Sequence, residues 1–168
     1  MTNAILKLDS WICKSLSAMA VGLLCLLFFL MSLNVIARFA PVFSMGWFDE
    51  IVELSFAWTI FATAAVLWRK KAHPSIDILE MMLDGRRAKY LVLIFIEVVN
   101  IIFLAAFTYY GYSLVEKAAA ASPIFQIPRK VFYVVLPVTG AYMTTVSLFF
   151  LCDHVRKLLA PPAPGDAT

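Results

Sequence analysis

The sequence predicts an all-α membrane protein: four transmembrane helices, both termini cytoplasmic, and an amphipathic interfacial helix between helices 2 and 3. Three observations predict it. Of 168 residues, 62% are hydrophobic and only 15% charged, with a mean hydropathy of +0.87, whereas a soluble domain of this size needs a larger charged surface. The apolar residues fall into long uncharged runs, as in helices dissolved in lipid. The basic residues gather at the ends of those runs, where positive charge fixes orientation. Residues 1–159 are expected to form a single transmembrane domain. Residues 160–168, with Pro161, Pro162, Pro164 and Gly165, read as a disordered tail.

The first span covers 15–37, between Lys14 and Arg38. At roughly 23 residues it exceeds a signal-peptide core, and no small-residue cleavage site follows it. Upstream, Ile5, Leu8, Trp11 and Ile12 recur at helical spacing, which suits a short helix lying at the interface before the chain turns in, the alternative being a frayed terminus. The second span covers 48–68. Its first turns carry Asp49, Glu50 and Glu53, acids that suit the positive end of a helix dipole. In the charged stretch that follows, Ile76, Ile78, Leu79, Met82 and Leu83 share a helical face that ends near Gly85, an amphipathic helix on the membrane surface. The third span, 91–115, holds one charge, Glu97. The fourth, 131–152, follows Pro128 and contains Pro137, where a kink is expected.

Ten of the 14 lysines and arginines fall on the side of the N-terminus, the second loop and the C-terminus. Arg38, Lys117, Arg129 and Lys130 fall on the other, so the first group is placed in the cytoplasm. Cys13, Cys25 and Cys152 form no C-x-x-C pair and read as small apolar packers. The net charge of +3 is explained by orientation and asks for no nucleic-acid partner.

Signals for catalysis are missing. His73 and His154 lie at membrane edges, not inside spans where a haem would need them. The sequence has no metal-ligand spacing, nucleophile elbow or phosphate loop, so neither an enzyme nor a cofactor is expected. Glu97 admits two readings: a proton or ion relay, or a structural carboxylate hydrogen-bonded to a neighbouring helix or to Asn100. Arg38 is expected to pair with Glu50 or Glu53 across a short outer loop, the alternative being separate solvated charges. Arg69, Lys70 and Lys71 read as anchors on anionic lipid, and His73 is placed to pair with Asp77 one helical turn on.

Several of these residues resemble a known family. Arg38-Phe39, then Trp47-Phe48-Asp49-Glu50 opening the second span, then Trp58, Phe61 to Ala65, and Arg69-x-x-x-His73-x-x-Ile76-Asp77 are similar to the small permease subunit of tripartite ATP-independent periplasmic (TRAP) transporters. Ile127-Pro128, Tyr133 and Pro137-Val138-x-Gly140 extend the resemblance, which covers about residues 15–155. Ala62-Thr63 departs from it where the family often has a glycine. The resemblance implies a non-catalytic scaffold in the bacterial inner membrane. Its partners would be a large permease (M) subunit carrying the substrate and sodium sites and a periplasmic binding protein that delivers an organic acid. Trp47, Glu50, Glu53, Arg69, His73 and Asp77 would then serve folding, membrane placement or subunit contact, with Arg38, Trp58, Glu97 and Pro137 as further structural candidates. The alternative is an independent homodimeric, proton-coupled transporter using Glu97.

Overall fold

The computed structural model describes residues 3–39, 46–72 and 87–159, with the backbone alone at 3–6, 87 and 88. Five helices form: α1 (Asn3–Phe39), α2 (Phe48–Arg69), α3 (Arg87–Lys117), α4 (Arg129–Tyr133) and α5 (Val135–Leu159). Four stretches are long and apolar enough to cross a membrane: Lys7–Phe39, Phe48–Arg69, Lys89–Lys117 and Arg129–Leu159. The expected amphipathic helix, with His73, Asp77 and Gly85, lies outside the described residues, as does the tail 160–168.

The helices pack in a row. α1 lies on α2, α2 on α5, and α5 on α3, the last pair being the most extensive contact. The chemistry follows the order. α1 and α3, at the flanks, contain the two most apolar stretches, of which only 17% and 11% of residues are buried. The corresponding stretches of α2 and the α4–α5 span are less apolar and 22% and 33% buried. Lipid tails are as apolar as leucine, so hydrophobicity sorts helices to the lipid side, while small and polar residues mark the surfaces that meet protein. The outward faces are rich in leucine and phenylalanine: Leu24, Phe28, Phe29, Phe95 and Phe103 are all exposed.

At mid-height Ala65, Leu104 and Met143 form a small core, with Leu16, Trp68, Phe107 and Tyr142 packed around it. Two glycines set the α3–α5 spacing. A Cβ on Gly111 would stand 3.0 Å from Leu136 Cβ, and one on Gly140 would stand 2.9 Å from the ring of Phe107. Glycine lets the two backbones approach, and close approach multiplies dispersion contacts.

Two sequence expectations change. The N-terminal stretch is not a separate interfacial helix but the first turns of α1, a continuous helix of 37 residues, about 55 Å long against a hydrocarbon core of ~30 Å. No proline or glycine interrupts Ile5–Lys14, and Asp9 is drawn inward by partners on two other helices. The fourth span is interrupted at Val134, between α4 and α5, one turn ahead of Pro137, where the backbone stays right-handed helical. The missing N–H of Pro137 would have served the carbonyl of Tyr133, and the ring crowds that same carbonyl. The break therefore falls where the ladder loses its acceptor's partner. The indole Nε1 of Trp58 donates to the carbonyl of Val131 at 3.0 Å, a side chain serving backbone beside the break, as membrane helices require.

Candidate functional site

Polar side chains concentrate at the two ends of the helices, and α2 contributes to both. At the end where α2 begins, Glu50 is buried in the first turn. Its carboxylate accepts from Ser122 Oγ at 2.7 Å, from the backbone N–H of Ile124 at 2.6 Å, and from that of Phe125 at 3.0 Å. A buried charge is tolerable only when its lone pairs are filled, and three donors from the α3–α4 loop fill them. The loop closes on itself as well. Ser122 N–H donates to the Ile127 carbonyl (2.9 Å), Arg129 N–H to the Ala120 carbonyl (3.0 Å), and Ile127 N–H to Ser122 Oγ (3.0 Å). Trp47 meets Phe125 edge-on, ring centroids 6.4 Å apart. One turn along, Glu53 receives Nη1 of Arg129 on both oxygens, at 2.6 and 2.7 Å, and that guanidinium lies 4.9 Å over the Phe132 ring.

The expected pairing of Arg38 therefore does not form. Glu50 is taken by the loop and Glu53 by Arg129, while Arg38 is exposed and pairs with neither. Arg129 wins because the chain returning from α3 brings it directly beside α2, whereas Arg38 projects from the end of α1.

At the opposite end Asp9 bridges three helices. Arg69 Nε donates to Oδ2 at 2.6 Å and the Tyr142 hydroxyl to Oδ1 at 2.9 Å. Trp68 Nε1 donates to Ser147 Oγ at 2.9 Å. Lys71 follows α2 with φ of 50°, a left-handed conformation that a non-glycine residue adopts only when its surroundings hold it there. That turn sends the side chain back into the fold: Nζ stands 3.4 Å from Nε2 of buried His154 and 4.3 Å over the Phe150 ring. Glu97 lies beside Ser147 and Asn100, within range of the charge of Lys71. Glu97 is 8% exposed, and its Oε2 has no hydrogen-bond partner among the described residues. Two of the three expected lipid anchors, Arg69 and Lys71, make contacts with other helices of the fold; Lys70 and Lys71 are both exposed.

Asp9, Trp68, Ser122, Tyr142, Ser147 and Arg129 were not singled out from the sequence, yet they make most of these ties. A faint signal existed for Asp9, which shares a helix face with Ile12 and Leu16. No group of three or more histidine, cysteine or carboxylate side chains could hold a metal ion among the described residues.

Such a chain is a multi-pass α-helical membrane protein whose polar groups bind its own helices together. Residues 27–157 match the family described as tripartite ATP-independent periplasmic transporters, DctQ component. The chain belongs to this family, and is thus a small membrane component of a TRAP transporter and not an enzyme. No curated protein matches the chain.

Proposed function

We propose that this chain is the membrane-fixed scaffold of a sodium-coupled importer of an organic acid, a carboxylate or sugar acid. It works beside a large permease subunit that carries the substrate and sodium sites, and receives substrate through a periplasmic binding protein. It resides in a bacterial inner membrane with both termini cytoplasmic, and residues 1–159 act as one domain. The observation that carries the reading is where the polar groups go. Glu50, Glu53, Arg69, Asp9, Lys71 and Trp58 are each engaged by another helix or loop of the same chain, as suits a part that holds position while another moves. The same scaffolding role is assigned to Arg38, Trp47 and Pro137, and to His73 and Asp77, which lie outside the described residues.

Reconstitution tests it. Liposomes with the large permease, this chain and the binding protein should take up an organic acid when a sodium gradient is applied. Liposomes holding this chain alone should take up none, and uptake by them would overturn the proposal. The competing reading, a self-contained proton-coupled transporter, draws on the unpartnered oxygen of Glu97. The two readings part on the liposome experiment, since a self-contained transporter moves solute without the large permease and a scaffold does not.

A further inference from the structure

We propose that the last turns of α5 bind an anionic phospholipid from the bilayer leaflet on the side of both chain ends, its phosphate on Arg156 and one acyl chain in the furrow beside it. The inference rests on the membrane fold alone and stands or falls apart from the transporter reading above.

The furrow follows from helix geometry. Residues four apart stack into ridges. Leu151, Val155 and Leu159 form one ridge, Cys152 and Arg156 the next, and the five line a single groove. The groove lies on the side of α5 turned away from Met143, Ser147 and His154, which are buried against the rest of the fold. Cys152, Val155, Arg156 and Leu159 are all exposed. The outward side of a membrane helix meets lipid, and an acyl chain is as apolar as the leucines that line this groove.

Charge selects the lipid. Arg156 stands at the water end of the span, with no ion-pair or hydrogen-bond partner among the described residues. The acid one turn back, Asp153, is held by Lys157 at 2.6 Å. Asp9 is held by Arg69, and Glu97 is buried. Over the whole sequence this end carries ten lysines and arginines against seven acids, whereas the opposite end carries four of each. A guanidinium offers phosphate two parallel N–H donors, and its aliphatic stem can lie along an apolar wall while the head stays in water. Basic clusters where a span leaves the membrane favour anionic headgroups.

The test uses the full chain in phosphatidylcholine nanodiscs holding a minor fraction of phosphatidylglycerol with a diazirine in one acyl chain. Irradiation should label the peptide containing Leu151, Cys152 and Val155 above those of α1 and α3, whose apolar stretches are less buried than that of the fourth span. Native mass spectrometry of the detergent-purified chain should show phosphatidylglycerol retained in preference to phosphatidylcholine. Retention should fall about fivefold in Arg156→Gln and fall also in Val155→Trp, which fills the furrow. It should change little in Lys70→Gln, which removes the same charge from the same end. Equal losses in Arg156→Gln and Lys70→Gln would reveal diffuse attraction and overturn the site. So would wild-type retention in Val155→Trp, equal retention of the two lipids, uniform labelling of the outward helix faces, or displacement of the lipid by inorganic phosphate.

Discussion

Replacing Gly140 by alanine isolates the α3–α5 seam. The added Cβ would meet the Phe107 ring at 2.9 Å and the hydroxyl of Thr108 at 2.5 Å. That hydroxyl is already committed to the Leu104 carbonyl at 2.7 Å and cannot simply swing away. Ordinary carbon contacts begin near ~3.5 Å, so the helices must separate by roughly half an ångström or Phe107 must leave its rotamer. Overpacking of this kind costs about 1–3 kcal/mol, and alanine recovers up to ~1 kcal/mol through better helix propensity. The net expectation is a loss of about 1–2 kcal/mol, or a fall in melting temperature of roughly 2–8 °C for a chain of this size. Gly22→Ala is the matched control, because nothing lies within 4 Å of the position. It should leave stability unchanged or slightly raised. Scanning fluorimetry of the two variants in one detergent decides the matter. Equal melting temperatures for Gly140→Ala and wild type would refute the argument from close approach, and an equal drop in Gly22→Ala would refute the claim that the seam is the cause.

Lys71→Met removes the contacts of Nζ with His154 and the Phe150 ring and a charge that acts on Glu97, and should lower the melting temperature, whereas Lys71→Met/Glu97→Gln should recover part of the loss; a double variant as poor as the single one would show that the two charges are not coupled. Asp9→Ala removes both acceptors that join α1, α2 and α5, and should cost more melting temperature than Tyr142→Phe, which deletes one hydrogen bond worth ~1 kcal/mol. Trp58→Phe leaves the Val131 carbonyl unserved at the break in the fourth span and should cost about 1–3 kcal/mol, measured by thermal or denaturant unfolding. Glu53→Gln should matter far less, because that pair is half exposed on the Glu53 side and screened.

What the sequence disclosed was set by the distance over which its signals act. A span is a local property, so all four could be found from runs of apolar residues. The proline effect was local too, but its consequence fell at the carbonyl four residues back, which displaced the break to Val134. Partner choice was not local. Lys71 and His154 are 83 residues apart, and Asp9 and Tyr142 are 133 apart. Nothing in either neighbourhood distinguishes a lysine that snorkels to lipid from one that turns back beneath a phenylalanine ring. Faces were equally hard to read, because a helix apolar all round gives no stripe to follow. Glu50 was recognised as important through its resemblance and its place in the first turn. That it anchors a loop, and does not pair with Arg38, required the fold.

The order in which the chain is made gives the ties of α2 a further meaning. Apart from Arg69, which finds Asp9 already in place, the polar groups of α2 that tie it to other elements wait for residues 72 to 79 positions downstream. During synthesis this helix must enter the membrane with an acid in its first turn and two indoles unserved. Only when the α3–α4 loop, α4 and α5 arrive are those groups satisfied. A chain interrupted before residue 120 would thus leave α2 poorly anchored and open to quality-control proteolysis, however well its predecessor had inserted. The final segment acts as the keystone of assembly.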